Sequence, residues 1–474
     1  MNEKRVIAVG KCNEKFLLRW QRRNAYYYRW LHGIYKHIVR PNSRVLHVGC
    51  DCGDLLAAVE PAYGVGVDTN AEAVELARRR FPHLTFYTTD PHELSLDETF
   101  DYILVCNSLG QWHDVQQVLE NIRPLAGENC RVVMTYYNYL WEEIMRLGAL
   151  LRIRRPYSYQ NWLLPDDIAN LLNLADFDVI RKNSYLLLPK RVPPFTTIAN
   201  YFLALLPGVR CLNLVSVVIA RPAPAPLRDD DLSVSVIVPC RNERGNIKDA
   251  VNRIPKMGRD TEIIFVDGNS TDGTPDEIEH QIKEHPDRNI RLIHQEGGVG
   301  KGDAVRKGFA AAKADVLVIQ DADLTAPPED LLKFYRALRD GKGEFINGSR
   351  LVYPMEKQAM RFLNLLANKF FGSLFTWLLG QRFRDTLCGT KMIHRKDYEL
   401  IVANRSYFGD FDPFGDFDLI FGAVKQNLKV VEVPVVYRAR AYGTTNISRF
   451  KHGWLLIKMS WIALKKIKWL GEVR

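Results

Sequence analysis

The stretch VLVIQDADLT, residues 316–325, is an apolar run too short for an ordinary helix. It breaks into Asp321 and Asp323 and then meets Pro327 and Pro328. That pattern predicts a buried parallel strand carrying two carboxylates, two residues apart, on one side of its C-terminal tip. In open α/β sheets the ligand crevice lies at that end of the strands. Adjacent carboxylates repel unless something positive separates them, and a hard divalent cation bridging to phosphate oxygens meets that need. An Asp-x-Asp triplet alone is more often a pair of capping or loop acids. Its neighbours decide.

Upstream, SVSVIVP (233–239) predicts a strand ending at Pro239, with Asn242 and Glu243 just beyond it. EIIFVD (262–267) predicts a second strand ending at Asp267, and GNSTDGT (268–274) a turn and helix cap. GGVGKGDAVRKGF (297–309) follows a third strand and has the make-up of a phosphate cradle, with Lys301 as its charge. It is no Walker A loop, because the spacing differs and no Ser or Thr follows the lysine. Asp321 and Asp323 therefore lie downstream of three strand tips bearing Glu243, Asp267 and Lys301.

The motifs VPCRNERGNI, GKGDAVRKG, DADLT, GSR (348–350) and RDTLCGTK (384–391) resemble the family 2 inverting glycosyltransferases of GT-A fold, over roughly residues 233–445. The pattern is most similar to the polyprenyl-phosphate sugar synthases. The resemblance implies that Pro239, Asn242, Glu243 and Asp267 help to hold a nucleotide-sugar donor. It further implies that Asp321 and Asp323 hold Mg2+ or Mn2+ on the donor diphosphate, with Lys301 and Arg350 nearby. Arg438 and Arg440 lie where that family closes over phosphates. A cation with Lys or Arg stabilises the charge that develops as a sugar–phosphate bond breaks.

A lipid-phosphate acceptor is already anionic and needs no base, whereas a sugar hydroxyl must lose a proton to a carboxylate. FGDFDPFGDFDL (408–419) offers Asp410, Asp412, Asp416 and Asp418, of which Asp416 is the candidate base. Loop acids capping the next helix are an equal reading.

The N-terminal half has the same βα rhythm. RVLHVGCDCGD (44–54) predicts a strand ending in a glycine loop, and GVGVD a strand ending at Asp68. Further strands end at Asp90, Asn107 and Asn138. Glycines there let backbone approach a ligand, and an acid at the second tip suits ribose hydroxyls. This order resembles the class I S-adenosylmethionine-dependent methyltransferases over roughly residues 25–222, which implies cofactor binding by Gly49, Gly53, Asp68 and Asp90. Two positions depart from the family: His47 stands for an acid and Asp51 for a glycine. A neutral imidazole can still accept a hydrogen bond, and Asp51 can return the missing charge. Tyr136, Tyr137, Trp141 and His113 lie near the strand ends where an acceptor is handled, though core packing and plain surface positions are the commoner roles.

The expected fold class is α/β with two domains: a Rossmann-like methyltransferase sheet at 1–222, then a GT-A nucleotide-sugar-binding domain at 233–474. A Pro/Ala/Asp linker, 223–232, lies between them. The net charge of +10 over 474 residues suits anionic partners. No helix–turn–helix, zinc finger or arginine-rich run points to nucleic acid. The eight cysteines form no paired framework, so reduced thiols in a cytoplasmic protein are expected. The N-terminus is too polar for a signal peptide. The longest apolar stretch, near Phe195–Ala220, is interrupted by Pro207, Gly208 and Arg210.

Two segments suggest peripheral contact with the inner face of the cell membrane. RFLNLLANKFFGSLFTWLLG (361–380) is apolar nearly all round. From Arg449 onward a helix would carry Lys451, Lys458 and Lys465 opposite Met459, Ala463 and Ile467. An interfacial helix and a helix docked on its own domain are both open. Three functional rivals also remain: a saccharide-extending transferase using an Asp base, an N-terminal half that only binds or docks, and a nucleotidyltransferase.

Overall fold

The computed structural model describes residues 14–151, 160–298, 300–353, 362–404, 416–438, 440, 442 and 457–468, with backbone alone at 362–366 and 416. Contacts divide the chain into Met1–Ala223 with Lys468–Arg474, and Pro224–Ile467. Each unit is α/β and is built on a mixed sheet of seven strands.

In the first unit the strands are β1 (Arg44–Val48), β2 (Tyr63–Asp68), β3 (Thr85–Thr88), β4 (Phe100–Cys106), β5 (Ala126–Tyr137), β6 (Phe177–Tyr185) and β7 (Val215–Pro222). They lie in the order β3-β2-β1-β4-β5-β7-β6. The first five are parallel, and β7 runs antiparallel to both β5 and β6. Val45 faces one apolar layer while Leu46 and Val48 face the other, so β1 is covered on both sides. Two-sided burial is why such strands are apolar throughout rather than alternating. Arg221 and Pro222 end β7, where the buried Arg221 guanidinium meets Asp178 at 3.0 Å.

The second unit contains β8 (Ser233–Cys240), β9 (Asp260–Asp267), β10 (Asn289–His294), β11 (Val316–Ile319), β12 (Phe345–Ser349), β13 (Lys391–His394) and β14 (Val430–Pro434). Their order is β10-β9-β8-β11-β13-β12-β14, with β13 antiparallel to both neighbours. Ile237 joins one core layer, and Val236 and Val238 the other. Because β8, β9 and β11 are parallel and in register, their C-terminal ends Cys240, Asp267 and Ile319 form one sheet edge.

The two segments with an apparent membrane pattern are accounted for here within their own unit. In the helix Phe362–Leu379, the side chains of Phe371, Phe375, Leu378 and Leu379 are buried, and Phe375 stacks on Phe421 at 5.4 Å. Met459, Ala463 and Ile467 are buried in the same core, while Lys458, Lys465 and Lys466 are exposed. For residues 457–467 of this segment, the own-domain docking is the observed arrangement. Lys451 and the other positions before 457 lie outside the described residues. Among the described residues no helix is long and apolar enough to cross a membrane.

Candidate functional sites

The strand at the centre of the second unit stops at Ile319, so Asp321 and Asp323 occupy the turn beyond it rather than the strand itself. Leu324 closes that turn at φ +53°, and its N–H donates to Asp321 O. The two carboxylates have separate cations. Lys301 Nζ is 2.6 Å from Asp321 Oδ1, and Arg440 Nη2 is 2.6 Å from Asp323 Oδ2. Thr325 donates to the other Asp323 oxygen through both its N–H and its hydroxyl.

Arg440 also reaches Glu243 Oε1 at 3.2 Å, while Asn246 donates to Glu243 Oε2 at 2.6 Å. Burial pushes the Glu243 pKa above the usual carboxylate value, despite Asn246 and Arg440 acting the other way. For Asp321, burial also opposes the charge, but Lys301, with Lys391 and Arg350 behind it, holds the carboxyl below its ordinary range. A cationic neighbour stabilises the ionised form.

The structure thus gathers Glu243, Lys301, Asp321, Asp323 and Arg440. Asp267 ends β9 buried, accepting from Ser270 N–H, and Asn242 accepts from Thr271 N–H at 2.8 Å, so the two strand tips are tied together. Pro239 lies within β8 opposite Val266. Arg438 is held through its own N–H to Thr325 O, with its side chain exposed. Arg350 is engaged elsewhere: its guanidinium grips Asp385 at 2.7 and 2.9 Å and covers the Tyr437 ring at 5.1 Å. Burial opposes the Arg350 charge, but Asp385 raises its pKa further. Asp416 begins the helix Asp416–Lys425; its side chain, like Asp410 and Asp412, lies outside the described residues.

Two residues of the site escaped the sequence reading. Asp385 anchors Arg350, and Lys391 sits buried on β13 opposite Ile319, where its charge acts on Asp321. An Asp and a Lys flanking Cys-Gly-Thr within a buried stretch were the available signal.

Among the described residues no three His, Cys, Asp or Glu side chains cluster as a metal site. Asp321 and Asp323 alone supply two hard oxygen donors, and this suits Mg2+, which leaves its remaining positions to phosphate and water. Gly389 keeps that side clear, because a Cβ there would collide with the Asp321 carboxylate and Lys301 Nζ.

In the first unit Gly49 and Gly53 take φ +79° and +80°, and a Cβ on Gly49 would meet Ser108 at 2.6 Å. Asp51 stands at φ +46°, keeping a left-handed turn where the resembled family has glycine. Its N–H donates to Asp68 Oδ2 at 2.8 Å, and Asn70 N–H donates to Oδ1 at 2.9 Å. Asp90 accepts from His92 N–H and lies 2.7 Å from His92 Nδ1, and these hydrogen bonds depress its pKa. His47 is buried, and neither ring nitrogen has a hydrogen-bond partner among the described residues. Burial, with His32 nearby, lowers its pKa to about 3, so the ring is neutral. Asn107 donates to Tyr27, which stacks with Tyr137. Tyr136 is buried and His113 exposed; Trp141 donates to Leu212 O.

A glycine loop at φ > 0 together with an orphaned buried imidazole fits S-adenosylmethionine, whose ammonium needs an acceptor.

Comparison with known proteins agrees with both halves. The family model for glycosyl transferase family 2 matches residues 235–403, and a methyltransferase domain model matches 46–132. A dolichol-phosphate mannosyltransferase of Saccharomyces cerevisiae is 41% identical over 114 residues, covering 23% of this chain and 42% of the relative. Another, from Pyrococcus furiosus, is 29% identical over 249 residues, covering 51% of this chain and 66% of its own. The chain therefore spans less than two thirds of either relative. A solved structure from Thermotoga maritima, described as a SAM-dependent methyltransferase and possible histamine N-methyltransferase, aligns with 44% of this chain and 94% of its own at 14% identity. Its TM-score of 0.34 is too low to bear on function. The chain thus carries a segment in its first unit, 46–132, that matches a methyltransferase domain model, and one in its second, 235–403, that matches glycosyl transferase family 2.

Proposed function

We propose that the second unit transfers a sugar from a nucleotide diphosphate donor to a polyprenyl phosphate or related lipid-linked acceptor, with inversion. The observation that carries this reading is the convergence of Glu243, Lys301, Asp321, Asp323 and Arg440 at the C-terminal edge of β8, β9 and β11. Asp267, Asn242 and Pro239 line the same edge and contribute to the nucleoside side of the donor site. Asp321 and Asp323 hold Mg2+ or Mn2+, which when bound neutralises charge on the departing diphosphate. Lys301 and Arg440 stand where that charge grows, already oriented by carboxylates, so little reorganisation is needed as the bond breaks. A phosphate acceptor brings its own anionic oxygen, so this chemistry asks for no base. The exposed Arg438 is a cation available to a phosphate near the site, while Arg350, gripped by Asp385, acts on Asp321 only through its charge. The names of the two mannosyltransferase relatives support a polyprenol-type acceptor and a hexose donor.

The first unit binds S-adenosylmethionine, with backbone at Gly49 and Gly53, hydroxyl acceptors at Asp68 and Asp90, and His47 and Asp51 beside the amino-acid end. That cofactor supplies a methyl group when bound. The whole enzyme is bifunctional and works from the cytoplasmic side, at the inner face of the membrane.

The decisive experiment incubates the chain with labelled nucleotide sugars, Mn2+ and polyprenyl phosphate, then partitions product between butanol and water. Label in butanol that depends on the lipid phosphate and persists in Asp416→Asn supports the reading. A large loss in Asp416→Asn with a saccharide acceptor would replace it by the base-assisted alternative.

A further inference from the structure

The connection between β6 and β7 is built inside out. In the helix Phe195–Tyr201 and the turn after it, Thr196, Ala199, Asn200 and Ala204 face inward, while Phe195, Ile198, Phe202, Leu203 and Leu206 are exposed. Phe195 retains 67% of its accessible surface and Phe202 55%, values far above those of a side chain packed in a core.

The arrangement is pinned. Asn200 Oδ1 accepts from Leu187 and Leu188 N–H, both at 2.8 Å, and its amide donates to Tyr26 hydroxyl and Leu188 O. Asn213 donates to Ala204 O and to Ser184 hydroxyl. Rotating the helix to bury its large apolar residues would orphan these buried amides, each at a cost of about 1–3 kcal/mol. The adjacent helix Glu142–Leu150 has no buried residue and exposes Ile144, Leu147 and Leu150. Trp141 ties its start to Leu212 O, joining the two exposed surfaces.

Charge indicates the occupant. Between Asp178 and Asp229 the chain has no acid. Of its seven Lys or Arg residues, Arg181 and Arg221 are buried in the sheet, Lys182 pairs with Asp166 and Arg228 with Asp231, which leaves Lys190, Arg191 and Arg210. Among them Arg191 is exposed, and Lys190 and Arg210 are half-buried beside the apolar ridge. A protein partner of mixed charge gives no reason to exclude every acid from such a stretch, whereas an anionic lipid surface does.

We propose that this connection docks the first unit on an anionic bilayer, with Phe195, Phe202 and Leu206 inserted among the lipids and Arg191 at the headgroups. The proposal deepens the lipid-linked acceptor reading but stands on its own observations. It moves the membrane contact away from the helices Phe362–Leu379 and 457–468, whose buried apolar residues lie in their own core.

The test is co-sedimentation of the full chain with vesicles of phosphatidylcholine alone or with phosphatidylglycerol added. Binding is expected on the anionic vesicles, falling with salt, and about fivefold weaker for Arg191→Ser. The triple variant Phe195→Ser, Phe202→Ser, Leu206→Ser is expected to bind about tenfold less or worse. Phe202→Trp, which does not remove the apolar ridge, is expected to gain a blue-shifted emission on anionic vesicles. No vesicle binding by the unaltered chain, unchanged binding by the triple variant, or an unshifted indole overturns the proposal. A triple variant that turns a dimer into a monomer assigns the ridge to a second copy instead. Sugar transfer to a soluble acceptor enters none of these readouts, so failure here is separate from failure of the transferase reading.

Discussion

Arg440 bridges Glu243 and Asp323, with its two terminal nitrogens 3.2 and 2.6 Å from their carboxylates. One guanidinium, 197 positions from Glu243 and 117 from Asp323, therefore joins the loop after β8 to the turn after β11. The donor side of the proposed site is drawn together by this cation before any substrate arrives.

Asp321→Asn and Asp323→Asn are expected to lower sugar transfer by roughly 100-fold or more, since each removes an oxygen that orients positive charge at the leaving group. Circular-dichroism melts should show both variants folded. Thorough chelation should have the same effect on the unaltered protein, and Mn2+ should reverse it. Full turnover after chelation would remove the metal from the mechanism.

Gly389→Ala tests the crowding directly. The added methyl collides with Asp321 and Lys301, so turnover should drop sharply with little change in thermal midpoint. A variant as active as the parent would mean that the Asp321 side of the site is not used.

Breaking the buried Arg350–Asp385 pair is expected to be expensive. Asp385→Ala leaves a guanidinium buried without its carboxylate, a change worth about 3–5 kcal/mol. Denaturant unfolding followed on the second unit should show that loss. Arg350→Lys should lose less, keeping the charge but not the two-pronged geometry.

The Asp321 carboxyl is held below its ordinary pKa. The stability this gives is complete above the unfolded-state value and disappears as pH falls through the lowered folded value. Sugar transfer should thus show no Asp321 titration between pH 5 and 8, and Lys301→Ala should move that acid limb to higher pH. A pH–rate profile in both proteins reads the difference.

His47 shifts stability with pH in the same direction, but from burial of a neutral ring and not from a paired charge. Its folded pKa of about 3 lies below that of an unfolded histidine, so the unfolded chain takes up a proton first. Stability of the first unit should fall as pH drops from about 6.5 towards 3, by roughly 1.4 kcal/mol per pH unit from this group. Hydrogen exchange in β1 and β4 should follow that slope, and His47→Phe should flatten it. His47→Phe should also weaken S-adenosylmethionine binding measured by calorimetry.

Much of the fold was legible because its signals are local. Apolar runs bounded by glycine and acid mark β1, β2, β8, β9 and β11, and the family motifs put Gly49, Asp68, Glu243 and Asp321 at strand tips. Lys391 and Asp385 lie within the motif RDTLCGTK, but their individual roles were not legible, because these come from burial beside Asp321 and Arg350. A turn shifted Asp321 and Asp323 off the strand, which a run of residue types cannot specify.

By itself, then, the sequence determined two α/β units, their order, and the acids, glycines and cations each would present at its sheet edge. Tertiary structure alone decided which cation meets which carboxylate, and which apolar faces are covered. Periodicity tells that a helix has an apolar face but not what lies against it. Met459 and Ala463 enter a core, while Phe195 and Phe202 are held outward by Asn200, whose hydrogen bonds form only once distant segments have come together.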